Sequence, residues 1–222
     1  MKMVLKMVCL LLCMALALSL VGCSEESPYP EGYEKYKAII GETKADALKQ
    51  LKLKETELTQ VFPNDDTTYH VPGTFSFCDY DFGLIMGLER ACDRVSSFTY
   101  WTLVDDLSGY KAMREKLIEL YGAPIQLHYT DEMFDALANR KEGTVADTWS
   151  MYRFTEEHHP EFAKYLEEVK KVYEEKFRRE VNFSWNLVLQ ARVHEDGRFL
   201  ITMIFSVGQD YTPSWQPGQD RS

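Results

Sequence analysis

The chain has 222 residues, 45% of them hydrophobic, and carries 35 acids against 25 lysines and arginines, for a formal charge of −10. Its length and apolar content suit one globular domain. The acidic balance argues against nucleic acid or anionic lipid headgroups as partners.

Lys2 and Lys6 open the chain, and the stretch Met7 to Gly22 then runs 16 residues without a charge. A basic start followed by an apolar run is the layout of a secretory signal. The run falls short of the about 20 apolar residues that a transmembrane helix needs. It ends on Leu20-Val21-Gly22-Cys23, which resembles the lipobox of bacterial lipoproteins. That resemblance implies diacylglycerol on the Cys23 thiol, cleavage just before Cys23, and palmitate-type acylation of the new amino terminus. A thiolate is the nucleophile such alkylation needs, and two or three acyl chains anchor stably. The implied address is exported and lipid-anchored, on the outer face of a bacterial cell membrane or the periplasmic side of an envelope membrane. Residues 1–22 are then a signal peptide. Their removal takes two lysines from the 25 basic residues, leaving 23 against 35 acids, a net charge of −12. Residues 23–32 read as anchor and flexible tether, since SEESPYPEG holds two prolines and a glycine.

Order is expected from Tyr33, and residues 33–207 read as a single α+β domain. Thr43 followed three residues later by Asp46 predicts a capped helix with Ala47, Leu48 and Leu51 on its apolar face. Leu53 to Val61 predicts a second short helix, stopped by Pro63. From Gly73 the period changes: Phe75 and Phe77, then Phe82 to Leu88, then Val95 to Val104 predict three antiparallel strands. Tyr110, Met113, Leu117 and Tyr121 fall at helical spacing after a Ser108 cap, and Gly122 with Pro124 ends that helix. Asp131 to Arg140 suits a short helix and Thr144 to Phe154 a strand. Residues 160–181 predict the longest helix, with Phe162, Leu166, Val169, Tyr173 and Phe177 on one face. Phe183–His194 and Arg198–Val207 flank Glu195-Asp196-Gly197, a hairpin signal. Residues 208–222 read as a loose tail.

The element order repeats: a helix and three strands over 41–104, then a helix and three strands over 108–207, the second half carrying the long inserted helix. With Gly41-Glu42-Thr43-Lys44 entering one helix and Leu120-Tyr121-Gly122-Ala123-Pro124 leaving another, this order resembles the β-lactamase-inhibitor-protein-like fold, a resemblance shared by small outer-membrane assembly lipoproteins. It implies helices packed on an antiparallel sheet that binds other proteins through one face, and it transfers no binding residue.

Chemistry is sparse. Cys9 and Cys13 leave with the leader, so Cys78 and Cys92 remain as a candidate disulfide if the fold brings their Cα atoms within about 7 Å. His158-His159 among Glu156, Glu157 and Glu161 is the richest metal-like cluster, but it lacks His-Glu-x-x-His spacing, and zinc normally takes four convergent ligands. His70, His128 and His194 are isolated, and no nucleophile elbow, phosphate loop or dinucleotide fingerprint occurs. The expected core includes Phe75, Phe77, Phe98, Trp149 and Phe205, with Tyr100, Trp101 and Trp185 left as a candidate exposed binding patch. The reading is a non-catalytic, cofactor-free binding module held at a membrane through Cys23, with a protein or other envelope component as partner. The alternative is an exported metal-dependent hydrolase using His158 or His159 with neighbouring glutamates.

Overall fold

The computed structural model describes residues 29–90, 92–153 and 182–210, together with 167–168, 171–172 and 174–175. The fold is α+β, with helices on an antiparallel sheet. Helix α1 spans Tyr33–Lys37 and α2 spans Lys44–Leu51. Thr43 caps α2 by accepting from the Asp46 amide at 3.2 Å, as the sequence pattern requires. The helix expected over Leu53–Val61 is instead a 3-10 turn at Glu55–Glu57 followed by the two-residue strand β1, Thr59–Gln60. The Glu57 carboxylate accepts from the Lys54 amide at 2.7 Å and closes that turn, and the chain then pairs with the next strand.

Strands β2 (Thr68–Phe77), β3 (Tyr80–Glu89) and β4 (Arg94–Val104) form a meander. β2 starts five residues before Gly73, because a register shift between Val71 and Phe75 absorbs Pro72 and Gly73. Helix α3, Tyr110–Tyr121, is capped by Gly109 rather than Ser108; the Ser108 amide is taken by the Asp106 carboxylate at 2.8 Å. Gly122 ends α3 with a φ of 76°, and its carbonyl accepts from the Trp149 indole at 2.9 Å. Next come the unforeseen short strand β5, Gln126–His128, the expected helix α4, Asp131–Arg140, and strand β6, Thr144–Arg153. The long helix predicted at 160–181 lies largely outside the described residues, although 167–168, 171–172 and 174–175 are helical. Arg94, at the start of β4, holds Glu168 by two bonds of 2.6 Å. The predicted hairpin is present as β7, Asn182–Val193, and β8, Phe199–Asp210.

The sheet order is β1-β2-β3-β4-β8-β7-β6-β5, antiparallel throughout. Two meanders, each edged by a short strand, therefore meet at the central β4–β8 pair. Side chains alternate between the two faces of a strand. One face carries Phe82, Leu84 and Met86 of β3, Phe98 and Tyr100 of β4, Met203 and Phe205 of β8, and Trp185, Leu187 and Leu189 of β7. Tyr33 and Tyr36 of α1, Leu51 of α2, Met113 and Leu117 of α3, and Phe134 and Leu137 of α4 pack into the same cluster. Helices α1 to α4 thus form a single layer on one face. Among the described residues, no helix is long and apolar enough to cross a membrane.

This aromatic core sets an alkaline limit. Burial pushes the Tyr33 hydroxyl up to about 12 against the relief of its bond from the Trp185 indole, and burial also pushes Tyr36 up to about 12. Between pH 10 and 12 the unfolded chain releases protons that these two tyrosines retain when folded. Their contribution is therefore complete below pH 10 and is lost as pH rises towards 12. Urea midpoints should fall steadily above pH 10, and Tyr36→Phe should flatten that slope.

Candidate functional site

The sheet's second face bears none of the helices α1 to α4, and its composition follows from strand register. Ile85, Thr99, Ile204, Val188 and Thr148 lie side by side across five strands, with His70 beyond Ile85 and Gln126 beyond Thr148. One pair along the strands lies a second row: Gly83, Trp101, Thr202, Gln190, Ala146 and His128. On the other side lies a third: Gly87, Ser97, Ser206, Asn186 and Ser150. In a chain with 60 charged residues, none of these positions holds an Asp, Glu, Lys or Arg. Among the described residues, the charges of this face sit at strand ends, as Asp81, Glu89 and Arg192 do.

The face is also low in relief, because neighbouring side chains lie over glycines. A Cβ on Gly83 would stand 2.7 Å from the Trp101 Nε1, one on Gly87 would stand 2.2 Å from the Ser97 Oγ, and one on Gly208 would stand 2.6 Å from the Asn186 Nδ2. The indole of Trp101 therefore lies across β3, with the His70 ring centroid 5.5 Å from its own. Its Nε1 and the Oγ1 of the facing Thr202 are buried without a hydrogen-bond partner. Gly83→Ala should lift this ring off the strand. The expected cost is about 1–3 kcal/mol, with a red shift of tryptophan emission; unchanged emission and stability would show that the indole does not need the glycine.

The expected patch of Tyr100, Trp101 and Trp185 is corrected. Tyr100 and Trp185 are fully buried under the helix layer, and Trp101 alone faces the other way, half-buried. Tyr100 and Trp101 are consecutive in β4, so the pleat sends them to opposite faces. Tyr100 donates to the Glu31 carbonyl at 3.0 Å, and Trp185 donates to the Tyr33 hydroxyl at 3.3 Å. Of the expected core, Phe77, Phe98, Trp149 and Phe205 are buried, while Phe75 is half-buried against the cluster. The outward set of Ile85, Thr99, Val188 and Ile204 is not legible in the sequence, because single alternate residues carry no signal until the register of these four strands is known.

The candidate Cys78–Cys92 disulfide is corrected as well. Cys78 lies in the turn before β3 and Cys92 in the turn after it, so a ten-residue strand separates them. That puts roughly 30 Å between them, and no disulfide joins them. His194 lies in the β7–β8 turn, its Nδ1 3.0 Å from Asp196. His128 is exposed on β5, while Asp131 accepts from Lys111 at 3.2 Å. Among the described residues no three His, Cys, Asp or Glu side chains gather as a metal group. His158, His159 and their glutamates lie outside the described residues, as does Cys23.

An open cleft of about 700 Å³ lies where the segment before α1 meets the β2–β3 turn, lined by Tyr29, Glu31, Cys78, Tyr80, Ala112 and Lys116 among others. Within it the Ser76 hydroxyl donates to the Asp81 carboxylate at 3.0 Å. No family model, curated protein or solved structure matches this chain.

Proposed function

We propose that this chain is an exported, lipid-anchored envelope protein that works without catalysis, docking a protein partner on the second face of its sheet. The observation that carries the reading is the uncharged, low-relief face in a strongly acidic chain. Interface centres are depleted in charge and enriched in aromatic groups, and Trp101 lies within this one. Hydroxyl and amide groups at Thr99, Ser206 and Gln190 supply hydrogen bonds around the apolar row of Ile85, Ile204 and Val188. The anchor follows from Leu20-Val21-Gly22-Cys23 at the end of the apolar leader.

A photo-crosslinking residue at Thr99 in intact cells should give a discrete adduct, and the same residue at exposed Lys49 on α2 should not. Adding Ile204→Glu should abolish the adduct while the isolated domain stays folded. Labelling from Lys49 but not from Thr99 would refute docking on this face. Cys23→Ser should remove lipid labelling and leave an unprocessed precursor; continued labelling would refute the anchor alone.

A further inference from the structure

Strand β2 runs for ten residues, and β1 pairs only with its start, at Tyr69 and His70, where the Val61 amide also reaches the Thr68 carbonyl at 3.1 Å. Among the described residues the rest of β2 is an outer edge of the sheet. Such an edge offers unpaired N–H and C=O groups to any extended strand, and proteins blunt it with charges, prolines or bulges. Pro72 and the register shift between Val71 and Phe75 blunt its middle. The end, Thr74-Phe75-Ser76-Phe77, has neither device. From Thr67 to Cys78 the chain carries no Asp, Glu, Lys or Arg, so β2 brings no charge of its own to this edge. Its threonine and phenylalanines favour pairing.

That end is closed from elsewhere in the chain. The Ser76 carbonyl accepts from the Glu31 amide at 3.2 Å, and the Ser76 amide donates to the Glu31 carboxylate at 3.2 Å. One residue thus takes both outward groups of Ser76, as a paired strand would, and sets a negative charge beside them. Three contacts hold Glu31 in place. The Tyr33 amide donates to the Pro30 carbonyl at 3.1 Å, closing a turn in which Gly32 has φ 77° and ψ 0°, the values of the third position of a type II turn. The buried Tyr100 donates to the Glu31 carbonyl at 3.0 Å, and Tyr29 stacks on Tyr33 with ring centroids 4.5 Å apart.

We propose that Glu31 is an edge guard, an autoinhibitory contact that keeps the end of β2 from pairing with the same edge of a second copy. Two copies of Thr74 to Phe77 meeting antiparallel about a two-fold axis would set only hydroxyl and aromatic side chains against one another, with no like charges to part them. Glu31 supplies the charge that β2 lacks and fills the hydrogen-bonding position that the second strand would take. The guard acts at the sheet edge, so it is independent of whatever docks on the second face.

The test is made on the full chain by analytical ultracentrifugation. Glu31→Pro removes the N–H and the carboxylate together, and proline is favoured at the second position of a type II turn, so the turn itself is retained. The parent should stay monomeric as its concentration is raised, while Glu31→Pro should shift to dimers or larger species. Adding Thr74→Lys, which puts a charge on the edge strand, should restore the monomer. A folded Glu31→Pro that stays monomeric overturns the proposal, as does a parent that associates equally or an association that Thr74→Lys leaves in place. Glu31→Ala keeps the backbone bond and gives a second readout that needs no association. Hydrogen exchange of the Ser76 amide should speed up by about fivefold or more once its carboxylate acceptor is gone. Unchanged exchange there overturns the guard even where Glu31→Pro does not fold.

Discussion

Arg114→Met is expected to destabilise the domain by about 3–5 kcal/mol, a large share of the about 5–15 kcal/mol that holds a domain together. The cause is Asp147. It stands on the inward face of β6 between Val145 and Trp149, fully buried, where the strand pattern calls for an apolar side chain. Its Oδ2 accepts from the Nε of Arg114 on α3, while its Oδ1 and the buried hydroxyl of Tyr110 have no hydrogen-bond partner. The guanidinium also lies 4.0 Å from the centre of the Tyr129 ring, so one arginine ties α3, β6 and the segment leading into α4. Removing it strands a carboxylate in an apolar surround, which costs far more than an absent bond. The double variant Arg114→Met, Asp147→Leu removes both charges and should recover most of the loss. Urea unfolding of the two single variants and the double one completes a cycle. A single-variant cost below about 1 kcal/mol would mean that water already solvates Asp147.

Trp185→Ala is expected to cost about 3–5 kcal/mol through the cavity it leaves. For a domain of this size that corresponds to a fall in Tm of roughly 10 °C. Trp185 is fully buried at the centre of the sheet, with ring centroids 5.7 Å from Phe98 and 6.3 Å from Phe205. Its loss also removes the donor to the Tyr33 hydroxyl. Trp185→Phe, which keeps most of the volume, should cost less than half as much. Trp101→Ala provides the contrast. Its ring is half-buried and its indole N–H makes no bond, so a clearly smaller loss is expected in the same melting measurement. Equal losses at the two tryptophans would contradict the assignment of opposite faces.

The features behind these two effects are written unevenly in local sequence. Thr43 with Asp46, the Gly122 stop and the Asp196-Gly197 hairpin were legible because capping and turn chemistry act within a few residues. The short β1 and β5 were not, since each exists only through pairing with a neighbour, β2 or β6. Nothing local in the strand over Thr144 to Phe154 marks Asp147 as buried. Its burial depends on Arg114, 33 residues away in sequence. Tyr100, Trp101 and Trp185 were grouped by residue type, yet the pleat divides them between two faces.

By itself the sequence determined the α+β class, the Thr43 cap, the Gly122 stop and the hairpin, because each is written in residues close together along the chain. The tertiary structure alone decided that β4 pairs with β8, that one face is sealed by helices, and that the other presents uncharged rows. Those rows are built from single residues of strands far apart in the sequence, and only interstrand hydrogen bonding brings them into register.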